Sequence, residues 1–319
     1  MKILFISLGC DKNLADSEEM LGLLTGSGHE IVDSEEEAEA IVINTCCFIH
    51  DAKEESVNTI LEMAEYKKTG KCKALVVTGC MAQRYKEEIT QEIPEVDAVL
   101  GTTSYGDIVK ALNEVQAGHV FQEFRDINEL PEDSGRRVLT TGGHFGYLKI
   151  AEGCDKHCTY CIIPSLRGSF RSVPEERLLA QAEYMASQGV KELILVAQET
   201  TVYGTDLYGR KTLHILLKKL CQIRGIRWIR VLYCYPEEIY DELIQVMKEE
   251  KKICNYLDLP IQHASDRILK RMGRRTTRKQ LTDIITKLRR EIPDIVLRTS
   301  LITGFPGETQ EDHEELMEF

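Results

Sequence analysis

Three times in the first eighty residues a continuous apolar run closes on a cysteine: ILFISLGC ends at Cys10, AIVINTC at Cys46 and ALVVTGC at Cys80. The runs at 3–7, 40–43 and 74–77 are continuous, apolar apart from the closing Ser7, and rich in β-branched residues, the pattern of strands buried on both faces. Helical patterns fill the gaps at 16–25, 52–67 and 85–93, and a fourth strand at 97–100 precedes a helix over 105–116. Alternation of this kind predicts an α/β fold, a doubly wound parallel sheet over residues 1–118 with helices on both faces. In such a sheet the carboxyl ends of the strands share one rim, where ligands bind. Cys10, Cys46 and Cys80, far apart in sequence, are therefore expected to converge. They are either independent buried thiols, since free cysteine is commonly core, or a set of three metal-binding thiolates.

Residues 119–143 are polar, carry Pro131, Gly135, Gly142 and Gly143, and hold no sustained period. They read as a linker, with room for one edge strand. From 144 to 319 the alternation resumes, with strands at 147–151, 192–196, 228–233, 256–260 and 296–302. Helices are expected at 174–188, 213–224, 236–249 and 277–291. Successive β/α units predict an open or incomplete β/α barrel, with its site at the carboxyl ends of the strands. The last residues, EDHEELMEF, read as a helix without a terminal cap, as if the chain were cut short.

Composition narrows the chemistry. MKILFISLG carries one lysine and a short apolar run, too little for a signal peptide. No stretch approaches the roughly 20 apolar residues of a membrane span, so a cytoplasmic protein away from membranes is expected. Eleven cysteines in such a chain do not form a disulfide framework, because the cytosol keeps thiols reduced. A net charge of −12 disfavours a surface made for nucleic-acid phosphates and suits a basic partner.

The stretch GCDKHCTYC places Cys154, Cys158 and Cys161 directly after a predicted strand. Four thiolates are the usual complement of a cubane iron–sulfur cluster, so three leave one iron open to a further ligand. Tyr160 is placed to shield such a cluster. Structural zinc, with His157 as a fourth ligand, is the alternative. Cys47, Cys72, Cys221, Cys234 and Cys254 have no partners at ligand spacing and read as structural.

The spacing Cys154–Cys158–Tyr160–Cys161 resembles the radical S-adenosylmethionine superfamily. That resemblance implies a [4Fe-4S] cluster whose open iron chelates the amino and carboxylate groups of S-adenosylmethionine. Reductive cleavage of that cofactor then yields a 5′-deoxyadenosyl radical. With the earlier cysteine trio, the whole chain resembles the methylthiotransferase family. The family likeness implies a second [4Fe-4S] cluster at Cys10, Cys46 and Cys80, involved in sulfur delivery. It also implies an electron donor such as flavodoxin or ferredoxin. SLGCDKNLADSE and EGCDKHCTYCIIPSLRGSFRS are most similar to the branch acting on an aspartate β-carbon of small-subunit ribosomal protein S-twelve. Branches modifying tRNA adenosine usually carry YGCQMN and a TRGRE-like stretch at those places. A tRNA substrate, or a metal protein without catalysis, are the alternatives.

By the same resemblance, AQETTVYG, LDLPIQHAS and RTSLITGFPGET contribute Gln198, Thr200, Gln262, Arg298 and Gly304 to the cofactor pocket. Arg167 and Arg171 flank the cluster loop and are expected either to meet substrate or cofactor or to be solvated. Family members continue through a further barrel strand and a small β-barrel domain called TRAM, neither expected in this sequence.

Overall fold

The structure, a computed structural model, describes residues 1–132, 135 and 137–319. The chain divides into two compact units, Met1–Thr140 with Ser165–Ser169, and Thr141–Pro164 with Phe170–Phe319.

The first unit is built on a parallel sheet of β1 (Lys2–Ser7), β2 (Glu30–Val32), β3 (Ala40–Thr45), β4 (Ala74–Gly79), β5 (Ala98–Leu100) and β6 (Phe121–Glu123). Its strand order is β2-β1-β3-β4-β5-β6. Helices α1 (Asp11–Gly26), α2 (His50–Thr69), α3 (Cys80–Glu92) and α4 (Ile108–Gln116) connect the strands. All residues of β3 and β4 are buried, as their unbroken apolar sequence requires. Burying each valine, leucine or isoleucine there stabilises the sheet by about 1.5–3 kcal/mol. Met20 and Leu24 of α1 pack with Ile108 and Leu112 of α4 over Val42 and Val76. The order reverses between β1 and β3, so the crevice favoured for ligands opens where Cys10 and Cys46 lie.

Two features of this unit differ from the sequence expectation. The edge strand for which residues 119–143 left room forms: Phe121–Glu123 pairs in parallel with β5 at the margin of the sheet. The described residues that follow are tied down rather than free, since Arg137 and Thr140 both bind Glu18 of α1. Glu18 is fully buried, and a carboxylate in that position demands partners. The polar stretch supplies them: Arg137 Nη2 donates at 2.6 Å and Thr140 N at 2.7 Å. Asp133, Ser134 and Arg136 of the expected linker lie outside the described residues. The second difference is Ser165–Ser169, a piece of the expected second domain that packs as part of the first unit. There Thr102 Oγ1 donates to the Leu166 carbonyl at 2.8 Å.

The second unit holds β7 (Phe145–Lys149), the short antiparallel pair β8 (Ala151–Glu152) and β9 (Arg171–Ser172), β10 (Glu192–Val196), β11 (Trp228–Val231), β12 (Ile253–Asp258) and β13 (Val296–Arg298). The main sheet is parallel with order β13-β12-β11-β10-β7, strands adjacent in sequence lying side by side as in a β/α barrel laid down in turn. A short helix α5 (Ile163–Arg167) follows the cysteine loop. The connecting helices are α6 (Glu175–Ser187), α7 (Thr205–Tyr208), α8 (Leu213–Cys221), α9 (Asp241–Glu249), α10 (Asp266–Arg271), α11 (Arg278–Glu291) and α12 (Gln310–Glu318). Among the described residues no helix is long and apolar enough to cross a membrane.

Candidate functional site

In the first unit the three cysteines sit where strands hand over to helices. Cys10 is the N-cap of α1 and Cys80 the first residue of α3, so both thiols stand at helix N-termini. Gly9 permits the close approach of Cys10 to Cys46. Its φ is +91°, and a methyl group there would lie 2.6 Å from Cys46 Cβ and 2.9 Å from its Sγ. Gly79 does the same before Cys80, where a Cβ would fall 2.3 Å from Asn44 Oδ1.

Asn13 ties these ends together. Its Nδ2 donates to the carbonyls of Leu8 at 3.1 Å and Thr45 at 3.0 Å, and its Oδ1 lies 3.8 Å from Cys80 Sγ. Asn44 in turn donates to the Asn13 carbonyl and to Ser17 Oγ, both at 2.9 Å. Burial pushes the Cys80 thiol up to about 12, opposed by the Arg167 guanidinium and reinforced by Cys10 and Cys46. Cys46 is raised by burial too, with Cys10 adding to the effect.

Arg167 is not the solvated or substrate-facing residue expected from sequence. It is buried in the first unit, with Nη1 2.8 Å from Asp16 Oδ2 and Nη2 2.6 Å from Asn13 Oδ1.

In the second unit Cys154, Cys158 and Cys161 lie on one loop after β8. Backbone N–H groups point at the sulfurs: Lys156 N donates to Cys154 Sγ at 3.4 Å, and Ile163 N addresses Cys161. Burial pushes Cys154 up to about 12, helped by Glu199, Cys161 and Cys158. Behind the loop stands a support that sequence reasoning missed. Thr159 N donates to the Met272 carbonyl at 3.0 Å and Thr159 Oγ1 to the Arg271 carbonyl at 3.1 Å. Gly273 (φ +73°) is pressed so close that a Cβ would sit 2.7 Å from the His157 carbonyl. Next to it, buried Arg274 lies 4.3 Å over the Tyr235 ring, whose hydroxyl is 3.6 Å from Cys158 Sγ. The available signal was the MGRR step after α10, a glycine followed by arginines at a turn.

The residues expected to line the cofactor pocket behave differently from one another. Gln198, at the end of β10, reaches Glu152 with Nε2 at 3.4 Å and leaves Oε1 buried without a protein partner. Its neighbour Glu199 was missed. One oxygen accepts from Thr201, the other is buried and unpartnered, and burial pushes the carboxyl up to about 7. Buried polar atoms without protein partners are rare and mark places where a ligand can complete the bonding. Thr200 spends its hydroxyl on the Leu232 and Tyr233 carbonyls at 2.7 and 3.1 Å, joining the ends of β10 and β11. Gln262 has φ +73° and is bridged to Leu301. Arg298 binds Asp258 at 3.1 Å with much of its side chain exposed. Gly304 has φ +73° and open space where a Cβ would stand. Tyr160 packs edge-on to Phe305 of the same glycine-rich segment, with centroids 6.5 Å apart. His263, buried, accepts from Ser265 N at 3.0 Å.

The donor sets fit iron–sulfur chemistry. Buried thiols held neutral are poor nucleophiles, but a coordinated cation reverses that preference and deprotonates them. Among the described residues no three His, Cys, Asp or Glu side chains are arranged to hold a single metal ion. His157, the zinc ligand considered from sequence, is exposed. A multi-iron core, each iron taking one thiolate, spans more widely set sulfurs than one ion does.

Residues 2–101 match the uncharacterized protein family UPF0004, and residues 148–319 match the radical SAM superfamily. The sheet order of the second unit and its cysteine loop thus belong to a radical SAM enzyme, a class that works through S-adenosylmethionine and a [4Fe-4S] cluster. The chain is 68% identical over all 319 residues to the ribosomal protein uS12 methylthiotransferase RimO of Lachnoclostridium phytofermentans, spanning 72% of that protein. It is 53% identical to RimO of Clostridium botulinum (strain Eklund 17B), spanning 71%. The chain belongs to the RimO family of radical SAM methylthiotransferases.

Solved structures share the fold at low identity. The radical methyltransferase TsrM of Kitasatospora setae superposes with a TM-score of 0.69 at 13% identity, over 99% of this chain and 70% of that one. The cobalamin-dependent radical enzyme OxsB gives 0.65 at 16% identity, over 99% of this chain and about half (51%) of its own.

Proposed function

We propose that this chain transfers a methylthio group to the β-carbon of an aspartate in ribosomal protein uS12. The observation that carries the proposal is 68% identity along the entire chain to a protein named a ribosomal protein uS12 methylthiotransferase. In this reading Cys154, Cys158 and Cys161 hold the [4Fe-4S] cluster that binds S-adenosylmethionine, and Cys10, Cys46 and Cys80 hold a second. When bound, the first cluster and its cofactor supply hydrogen-atom abstraction at a carbon too weakly acidic for a general base. The protein's part is to hold and orient. Gln198, Glu199, Gln262 and Arg298 offer polar groups to the cofactor at the strand ends, while Gly304 leaves room for it. Tyr160 and Tyr235 cover the cluster loop, and Thr200 fixes the ends of β10 and β11. A small electron carrier such as flavodoxin or ferredoxin supplies reducing equivalents.

The test is anaerobic reconstitution of the chain followed by iron and sulfide analysis. About eight irons per chain are expected if both trios load. The loaded protein is then given S-adenosylmethionine, reductant and either uS12 or tRNA, and products are weighed for the methylthio increment. A product on uS12 supports the proposal, and one found only on tRNA reverses the substrate.

A further inference from the structure

Arg167 lies shortly after Cys161 in sequence, yet its guanidinium is buried within the first unit among the elements that carry Cys10, Cys46 and Cys80. It donates to Asp16 Oδ2 at 2.8 Å and to Asn13 Oδ1 at 2.6 Å, and that same Asn13 oxygen lies 3.8 Å from the Cys80 sulfur. Asn13 is the side chain that ties Leu8, Thr45 and Cys80 together. One planar fork thus grips the residue that sets the spacing of the strand ends and also places a fixed positive charge beside a thiolate ligand. Burying a guanidinium is costly unless it is paired, and Asp16 alone would satisfy that need. The second bond, to Asn13, goes to the side chain that stands 3.8 Å from the Cys80 sulfur.

We propose that Arg167 is a positioning residue of the first cysteine trio, fixing Asn13 and Cys80 and tuning the cluster held there through its charge and its N–H groups. The inference rests on the reading of Cys10, Cys46 and Cys80 as a cluster site. Net charge and hydrogen bonds to sulfur are among the quantities that set the potential of an iron–sulfur cluster. Removing a neighbouring cation makes the added electron less welcome, so the potential falls.

The test uses the full chain with Cys154, Cys158 and Cys161 changed to Ala, so that only the first trio can load. Arg167, Arg167→Lys and Arg167→Gln are compared for iron and sulfide content and for midpoint potential, followed by electron paramagnetic resonance. Arg167→Gln is expected to shift the potential negative and to lose more than half of the iron, while Arg167→Lys holds the potential closer to the parent. Equal content and equal potential in all three overturn the proposal. If Arg167→Gln fails to fold, as circular dichroism would reveal, Arg167→Lys decides. Lysine keeps the charge without the fork, so its iron content should drop at least twofold, and unchanged content overturns the assignment. If the parent takes up no iron, the cluster reading falls, and alkylation of the metal-free protein still tests Arg167. Labelling of Cys80 relative to Cys221 is expected to rise severalfold in Arg167→Gln, and an unchanged ratio overturns the role.

Discussion

On the proposed reading, the two cysteine trios solve one chemical problem by opposite means. The first draws its thiols from the ends of β1 and β3 and the start of α3, so its geometry is a property of a whole parallel sheet. The second lies on a single loop, whose shape depends on a turn pressed against it from behind: Met272, Gly273 and Arg274. A site assembled from distant segments inherits the stability of the fold. A site on one loop needs only its backing, and it can tolerate larger changes elsewhere.

The most severe test of that contrast removes one thiol from each trio. Cys158→Ala should abolish S-adenosylmethionine cleavage and cost about half of the iron, leaving the first trio loaded. Cys46→Ala should cost the other half, spare cleavage and stop sulfur insertion. If Cys46→Ala leaves insertion intact, the role given to the first trio is wrong.

Next in size is the buried pair Arg137–Glu18, with 2.6 Å between Nη2 and Oε2. Arg137→Met leaves that carboxylate without its cation, which costs about 3–5 kcal/mol. Denaturant titration should show the first unit weakened, and iron should be lost from the assembled trio while the loop trio keeps its own.

The second unit carries a pH sensitivity of its own. Burial raises Glu199 from 4.5 to about 7. Between those values the folded chain holds a proton that the unfolded chain has released, so stability falls as pH rises through that window and levels off above it. The full swing is about 3 kcal/mol. Urea unfolding of metal-free protein across that range should show the slope, and Glu199→Gln should flatten it.

The smallest effects come from paired glycine changes. Gly9→Ala and Gly273→Ala each place a side chain at positive φ against a close neighbour, Cys46 in one case and the His157 carbonyl in the other. About 1–3 kcal/mol of strain is expected from each. Thermal melts should register both, and iron retention should drop at the first trio for Gly9→Ala and at the second for Gly273→Ala. Equal losses at both sites from either variant would dissolve the distinction.

Much of this was legible in the sequence because it is written in local pattern. The apolar runs before Cys10, Cys46 and Cys80 announce buried parallel strands, and a parallel sheet gathers its strand ends. Strand β2 was not legible, since Glu30–Val32 is a short edge strand with two exposed residues and no alternation to detect. Arg167 was misread for a different reason. A charged side chain carries no local mark of being buried, and its partners Asp16 and Asn13 lie in a helix far away in sequence. Arg274, Gly273 and Tyr235 escaped for the same reason, their purpose set by a loop more than seventy residues earlier in the case of Tyr235. The polar stretch ending at Thr140 looked like a linker because nothing in its composition reveals the carboxylate it serves.

The insertion of Ser165–Ser169 into the first unit has a practical corollary. Anyone wishing to produce the sheet that carries Cys10, Cys46 and Cys80 by itself would naturally stop near residue 140. The polypeptide so obtained would lack Leu166 and Arg167, taking from Thr102 its acceptor and from Asp16 the Arg167 guanidinium. Dissection at that seam amputates a piece of the half it sets out to isolate.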